Sequence, residues 1–88
     1  MATEDAIRSR IADLIGRRKN VTFEEIKWVY DQLSSKYPCK TRKTTHGTLF
    51  RIGHVRFMVN SHNPGSKQVK TYSVDEFARA MTELGWYD

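Results

Sequence analysis

The run KTTHGTLFRIGHVRF, Lys43 to Phe57, holds the residues best suited to chemistry. His46 stands in it beside Lys43 and ahead of Arg51 and Arg56. An imidazole with a reference pKa of about 6.5 gives and takes a proton at neutral pH, and nearby cations tend to lower that value. A histidine among lysines and arginines suits RNA cleavage without a metal. The imidazole takes the proton of a 2′-OH, the freed oxygen attacks the adjacent phosphate, and the cations stabilise the charge that develops. The ordinary explanation is a structural residue or a phosphate contact at the end of a strand.

The other histidines are His54 and His62, evenly spaced from His46. Even spacing invites a metal-site reading, but strand geometry opposes it: at ~3.3 Å per residue, His46 and His54 are roughly 25 Å apart. His46 and His62 come out nearly opposite one another, yet two histidines without a carboxylate or thiolate make a poor zinc site. No metal and no cofactor is expected, and His54 reads as a turn residue.

Charge carries the next signal. The 88-residue chain has a net charge of +5, and its distribution is uneven. From Gln32 to Val74 there are eight basic residues, Lys36, Lys40, Arg42, Lys43, Arg51, Arg56, Lys67 and Lys70, and no acid. The residues on either side hold every carboxylate. A solvated basic face is the plain explanation, but so long an acid-free stretch points to a polyanionic partner.

The elements that must position these residues follow from periodicity. Thr3 caps a first helix with Glu4 and Asp5 in its first turn, and Ile7, Ile11, Leu14 and Ile15 recur at helical spacing up to Gly16 and the basic RRK. Thr22 and Glu25 form a capping box for a second helix, whose stripe is Phe23, Ile26, Val29, Tyr30 and Leu33 and which Pro38 ends. Ser73 with Glu76 reads as the capping box of a third, burying Phe77, Ala80, Met81 and Leu84 before Gly85. Between them the period falls to two. Thr48, Phe50 and Ile52 alternate, as do Val55, Phe57 and Val59, around a Gly53-His54 pair suited to a type II′ turn. That turn sets Ile52 opposite Val55, Phe50 opposite Phe57, Thr48 opposite Val59 and His46 opposite Ser61. A further strand is expected from Cys39 to Lys43. The fold class is α+β: two N-terminal helices, a three-stranded antiparallel sheet and a C-terminal helix.

The second face of the hairpin then pairs Leu49 with Met58, Gly47 with Asn60, and Arg51 with Arg56. Directly opposed arginines cost stability unless they splay into solvent or share an anion, and a guanidinium fork suits phosphate oxygens. Leu49 and Met58 beside them suggest a contact surface. Alternation places His46 on the core side with Phe50, so it must lie beyond the helices' cover or be turned outward by a bulge at Gly47.

NVTFEEIKWVYDQL, then TRKTTHGTLFRI, then GSKQVKTYSVDEFARAMTELG resembles the HicA (YcfA-like) family of small mRNA interferase toxins over residues 20 to 85. The resemblance implies a double-stranded-RNA-binding-type α-β-β-β-α domain over residues 20–88, with residues 1–19 an additional helix. It implies His46 as the catalytic residue and the following strand as part of an RNA-binding surface; the candidate RNA-binding residues, drawn from the acid-free segment, are Lys40, Arg42, Lys43, Arg51, Arg56, Lys67 and Lys70. It also implies mRNA and a HicB-type antitoxin as partners. Lys70 or His62 is the candidate second proton-transfer group.

Three other readings stay open: a non-catalytic RNA-binding module of the same fold, a winged-helix-like DNA-binding protein, and a protein-interaction module. The winged-helix reading needs a recognition helix within residues 36–46, which Pro38 and the Thr/Lys mixture oppose. The single cysteine, Cys39, excludes an intrachain disulfide. With no apolar run of membrane length and no signal-peptide pattern, a cytoplasmic chain is expected.

Overall fold

The computed structural model describes residues 3–45, 47–60 and 67–87. The order is α1 (Glu4–Arg17), α2 (Phe23–Leu33), β1 (Cys39–Thr44), β2 (Gly47–Ile52), β3 (Val55–Val59) and α3 (Thr71–Leu84). The sheet is antiparallel in the order β1-β2-β3. This is the α+β layout expected from the periodicities, and the region between α2 and β1 is a short turn followed directly by strand. Among the described residues, no helix is long and apolar enough to cross a membrane.

The β2–β3 register is the one the hairpin turn predicts: Ile52 opposes Val55, Phe50 opposes Phe57, Thr48 opposes Val59, and on the other face Arg51 opposes Arg56 and Leu49 opposes Met58. Gly53 has φ 59 while His54 keeps a negative φ, as a type II′ turn demands. The expected pairing of His46 with Ser61 lies outside the described residues.

Phe50 is the hub of the core. Its ring stacks on Phe57 at 5.4 Å and meets Tyr30 at 5.0 Å and Phe23 at 5.7 Å, while Phe57 meets Phe77 edge-on at 5.6 Å. One cross-strand pair therefore carries ring contacts to both α2 and α3. The first helix belongs to the same cluster, with Ile7, Ile11 and Leu14 buried. Arg8 fastens it to the chain's other end, lying 4.7 Å over the Trp86 ring and donating to the Gly85 carbonyl at 3.0 Å.

The helix ends divide into expected and unexpected. Thr3 caps α1 by accepting from the Ala6 amide, and Thr22 and Glu25 form the full reciprocal box of α2. α1 ends at Arg17, in the basic cluster after Gly16 as expected, and the backbone turns at Arg18, with φ 58. That costly conformation is held where Arg18 clamps Asp75 of α3 through two bonds of 2.8 and 2.7 Å. The Ser73 box is a correction. α3 begins at Thr71 with Lys70 as its N-cap and no side-chain cap bond. The Ser73 hydroxyl is buried and accepts the Asn60 amide at 2.9 Å, so it serves the end of β3 rather than the helix.

Two stability predictions follow. Truncating Phe50→Ala removes the hub ring and should lower unfolding free energy by about 3–5 kcal/mol in urea titration. The second concerns Glu25. Burial pushes its carboxyl up, but bonds from Arg17 and Thr22 outweigh this and leave it below its ordinary 4.5. A carboxylate lowered in the folded state stabilises above its unfolded pKa and loses that contribution as pH falls through the folded value. The urea midpoint should therefore decline below about pH 4.5, and Glu25→Gln, weaker at neutral pH, should show a shallower decline.

Candidate nucleic-acid interface

The β1–β2 register runs from Cys39 opposite Ile52 to Thr44 opposite Gly47 without interruption. Since side chains alternate, it sorts the basic residues onto two faces. Lys40, Arg51 and Arg56 make one row across the open face, and Arg42, Leu49 and Met58 make the next. Lys40, Arg42, Arg51 and Arg56 are exposed, while Leu49 and Met58 are half-buried beside them. Arg51 lines two shallow hollows, one of about 310 Å³ with Lys40 and one of about 330 Å³ with His54 and Arg56. Its Nε donates to the Gly53 carbonyl at 3.4 Å, which draws its guanidinium towards the turn and eases its repulsion from Arg56.

The remaining predicted contacts are elsewhere. Lys43 is on the helix-side face, opposite Thr48, because the alternation that exposes Arg42 outward turns its neighbour inward. β1 extends beyond the helices' cover, so Lys43 stays exposed and lines a cavity of about 280 Å³ with Phe23, Glu24, Thr48 and Lys67. Glu24 brings an acid to a group that is acid-free along the chain. Lys70 caps α3 at a third place, lining a cavity of about 490 Å³ with Lys19, Gln68 and Tyr72. The acid-free segment is thus three basic sites in space, not one patch.

Most of the acids are engaged on the helical side. Arg8 pairs with Glu4, Arg17 with Asp13 and Glu25, Arg18 with Asp75, Lys27 with Asp31, and Arg79 with Glu76 and Glu83. Among the described residues, none of the four open-face cations has a carboxylate partner. Surface pairs of this kind contribute little stability, about 0–1 kcal/mol each. Their effect here is on charge: they neutralise the helices and leave the sheet face positive.

His46 lies outside the described residues, as does His62. The residue that follows His46 is fixed in detail. Gly47 has φ 154, and a Cβ built there would collide with the Val59 carbonyl oxygen and Asn60 Oδ1. No bulge interrupts its pairing with Thr44; the close approach of β3 is what requires glycine. Asn60 is held in turn by the buried Ser73 hydroxyl, by the Lys70 amide donating to its carbonyl at 2.9 Å, and through Nδ2, which donates to the Tyr72 hydroxyl at 2.5 Å. Its Oδ1 is buried with no partner among the described residues.

Lys19, Asn60 and Tyr72 are site residues that sequence reasoning did not select. Reading Ser73 as the helix cap left Tyr72 outside the helix, whereas it lies in the first turn of α3. Burial pushes the Cys39 thiol up, which disfavours its thiolate form.

Comparison with protein-family models, curated proteins and solved structures found no match to this chain.

Gly47→Ala should lower stability by about 2 kcal/mol or more, since strain and collision act together. Denaturant titration of the variant, beside a control Gly16→Ala where a Cβ meets nothing within 4 Å, checks it: the control should be neutral or stabilising.

Proposed function

We propose that this chain is an RNA-binding protein that holds phosphates on the open face of its sheet and acts as a HicA-type endoribonuclease through His46. The observation that carries the binding part is the two-row open face, on which Lys40, Arg42, Arg51 and Arg56 are exposed without a carboxylate partner among the described residues. Guanidinium and ammonium groups spaced across a sheet suit a repeating polyanion, and Arg51 opposite Arg56 suits one phosphate between two forks. The open face presents Leu49 and Met58 rather than aromatic rings. It therefore favours phosphate contacts over base readout there.

The catalytic part rests on the resemblance of the TTHGTLFRI segment to HicA toxins. The imidazole of His46 takes the proton from a 2′-OH. The 2′ oxygen bonds to phosphorus as the bond to the 5′ oxygen breaks, leaving a 2′,3′-cyclic phosphate and a 5′-hydroxyl. The departing oxygen takes a proton from a second group, for which Lys70 and His62 are the candidates. Neighbouring cations stabilise the extra negative charge on the phosphorane oxygens. Among the described residues, Lys43 and Lys67 line one cavity with Gly47. The same reading assigns a HicB-type antitoxin as protein partner.

Cleavage of a mixed transcript in EDTA, with His46→Ala purified identically, tests the catalytic part. Cutting by wild type and binding without cutting by the variant is the expected result; equal binding with no cutting by either leaves a non-catalytic RNA-binding module. The binding part has its own readout. Four phosphate contacts on a single strand give a slope of log K against log salt of about −3, and Arg51→Ala with Arg56→Ala should reduce its magnitude by roughly 1.4. A slope near zero for wild type would remove the phosphate-binding face and favour a protein partner.

A further inference from the structure

The cavity of about 490 Å³ between the α1–α2 link and the start of α3 has a composition unlike the open face. Lys19 and Lys70 line it with the amides of Asn20 and Gln68, which bond to each other at 3.3 Å, and with Tyr72. Tyr72 is 47% exposed, the one large hydrophobic side chain so exposed among the described residues. An exposed aromatic usually swings freely, but this one is anchored at its far end by the bond from Asn60 Nδ2 at 2.5 Å. Asn60 is itself fixed by Ser73 and Lys70, so the ring is a rigid platform built from β3 and α3 together. The ammonium of Lys70 stands 5.8 Å from the ring centroid. The link that carries Lys19 is also held: the bridge between Thr22 and Gln68, with Val69 donating to Val21 and Phe23 to Lys67, ties the two walls together.

We infer that this cavity is a stacking subsite for one nucleotide of an RNA strand, its base on Tyr72 and its phosphate at Lys70 and Lys19. A fixed, half-exposed ring, with the Lys70 ammonium over it and Lys19 lining the same cavity, offers what an unpaired nucleotide needs: a π-face for the base and positive charge for the attached phosphate. The open sheet face has the charge without the ring. The two sites divide the work: the sheet retains the strand by its phosphates, and the Tyr72 cavity takes a single unstacked base. The inference deepens the RNA-binding reading and rests on it.

The test uses the full chain and two probes. A single-stranded oligoribonucleotide carrying 2-aminopurine should show fluorescence quenching on binding to wild type. Tyr72→Phe, which keeps the ring but not its bond to Asn60, should retain part of the quench. Tyr72→Leu should lose it and bind roughly tenfold more weakly. Equal loss in Tyr72→Phe and Tyr72→Leu would overturn the inference, because the hydroxyl bond to Asn60 would then be the whole role of the residue. Retained quenching in Tyr72→Leu would overturn it as well. The second probe, 5′-AMP at millimolar concentration, separates this inference from the functional reading. If wild type binds no RNA, the functional reading fails; a shift of the Tyr72 ring resonances by 5′-AMP, absent in Lys19→Ala with Lys70→Ala, would still uphold a nucleotide subsite, and no shift would end it.

Discussion

The stack of Phe50 on Phe57 is the contact on which the rest of the molecule depends. It joins β2 to β3 at the centre of their register, receives Phe23 and Tyr30 from α2, and passes through Phe57 to Phe77 of α3. A shift of one residue in the hairpin would set Phe50 opposite Arg56 or Met58, parting the two rings to opposite faces and bringing an arginine to the core side. The same pairing that builds the core therefore places the arginines outside, opposite each other. Core and candidate interface are two sides of one register.

The second constraint is electrostatic. Seven of the nine acids among the described residues have a basic partner on or between the helices, so much of the helical layer's charge is locally balanced. Among the described residues the open sheet face has no such partners, and its four cations are exposed. Individual surface pairs add little to folding. Their arrangement leaves charge balanced on the helices and unbalanced on the open sheet face, an asymmetry that can steer a polyanion.

The junction of β3 and α3 links these features to the candidate subsite. Ser73 leaves its expected capping role and receives the Asn60 amide; Asn60 presses on Gly47 and steadies the Tyr72 ring. α3 also closes the free edge of β3, since Arg79 donates to the Arg56 carbonyl at 2.9 Å. A helix that loses a side-chain cap thereby gains a fixed position against the sheet, and the ring in its first turn inherits that fixity.

Local periodicity determined much of this protein. Alternation over Thr48 to Val59, one glycine in the turn, and the Thr22–Glu25 box were enough to define the hairpin, its register and α2, because each depends on residues close in the chain. The pairing of Leu49 with Met58 and Arg51 with Arg56 followed from the same local rule. What the tertiary structure alone decided was where the cations gather. Lys43 and Arg42 are neighbours in sequence and lie on opposite faces. Lys70 shares a cavity with Lys19, beside the bridge between residues 21–23 and 67–69, and Lys43 shares one with Glu24 of α2. The Ser73 hydroxyl could satisfy either the amide of Glu76 or that of Asn60, and the choice was made by the docking of α3 on β3. Hydrogen-bond donors three residues apart are legible in a sequence; a donor brought from another strand is not.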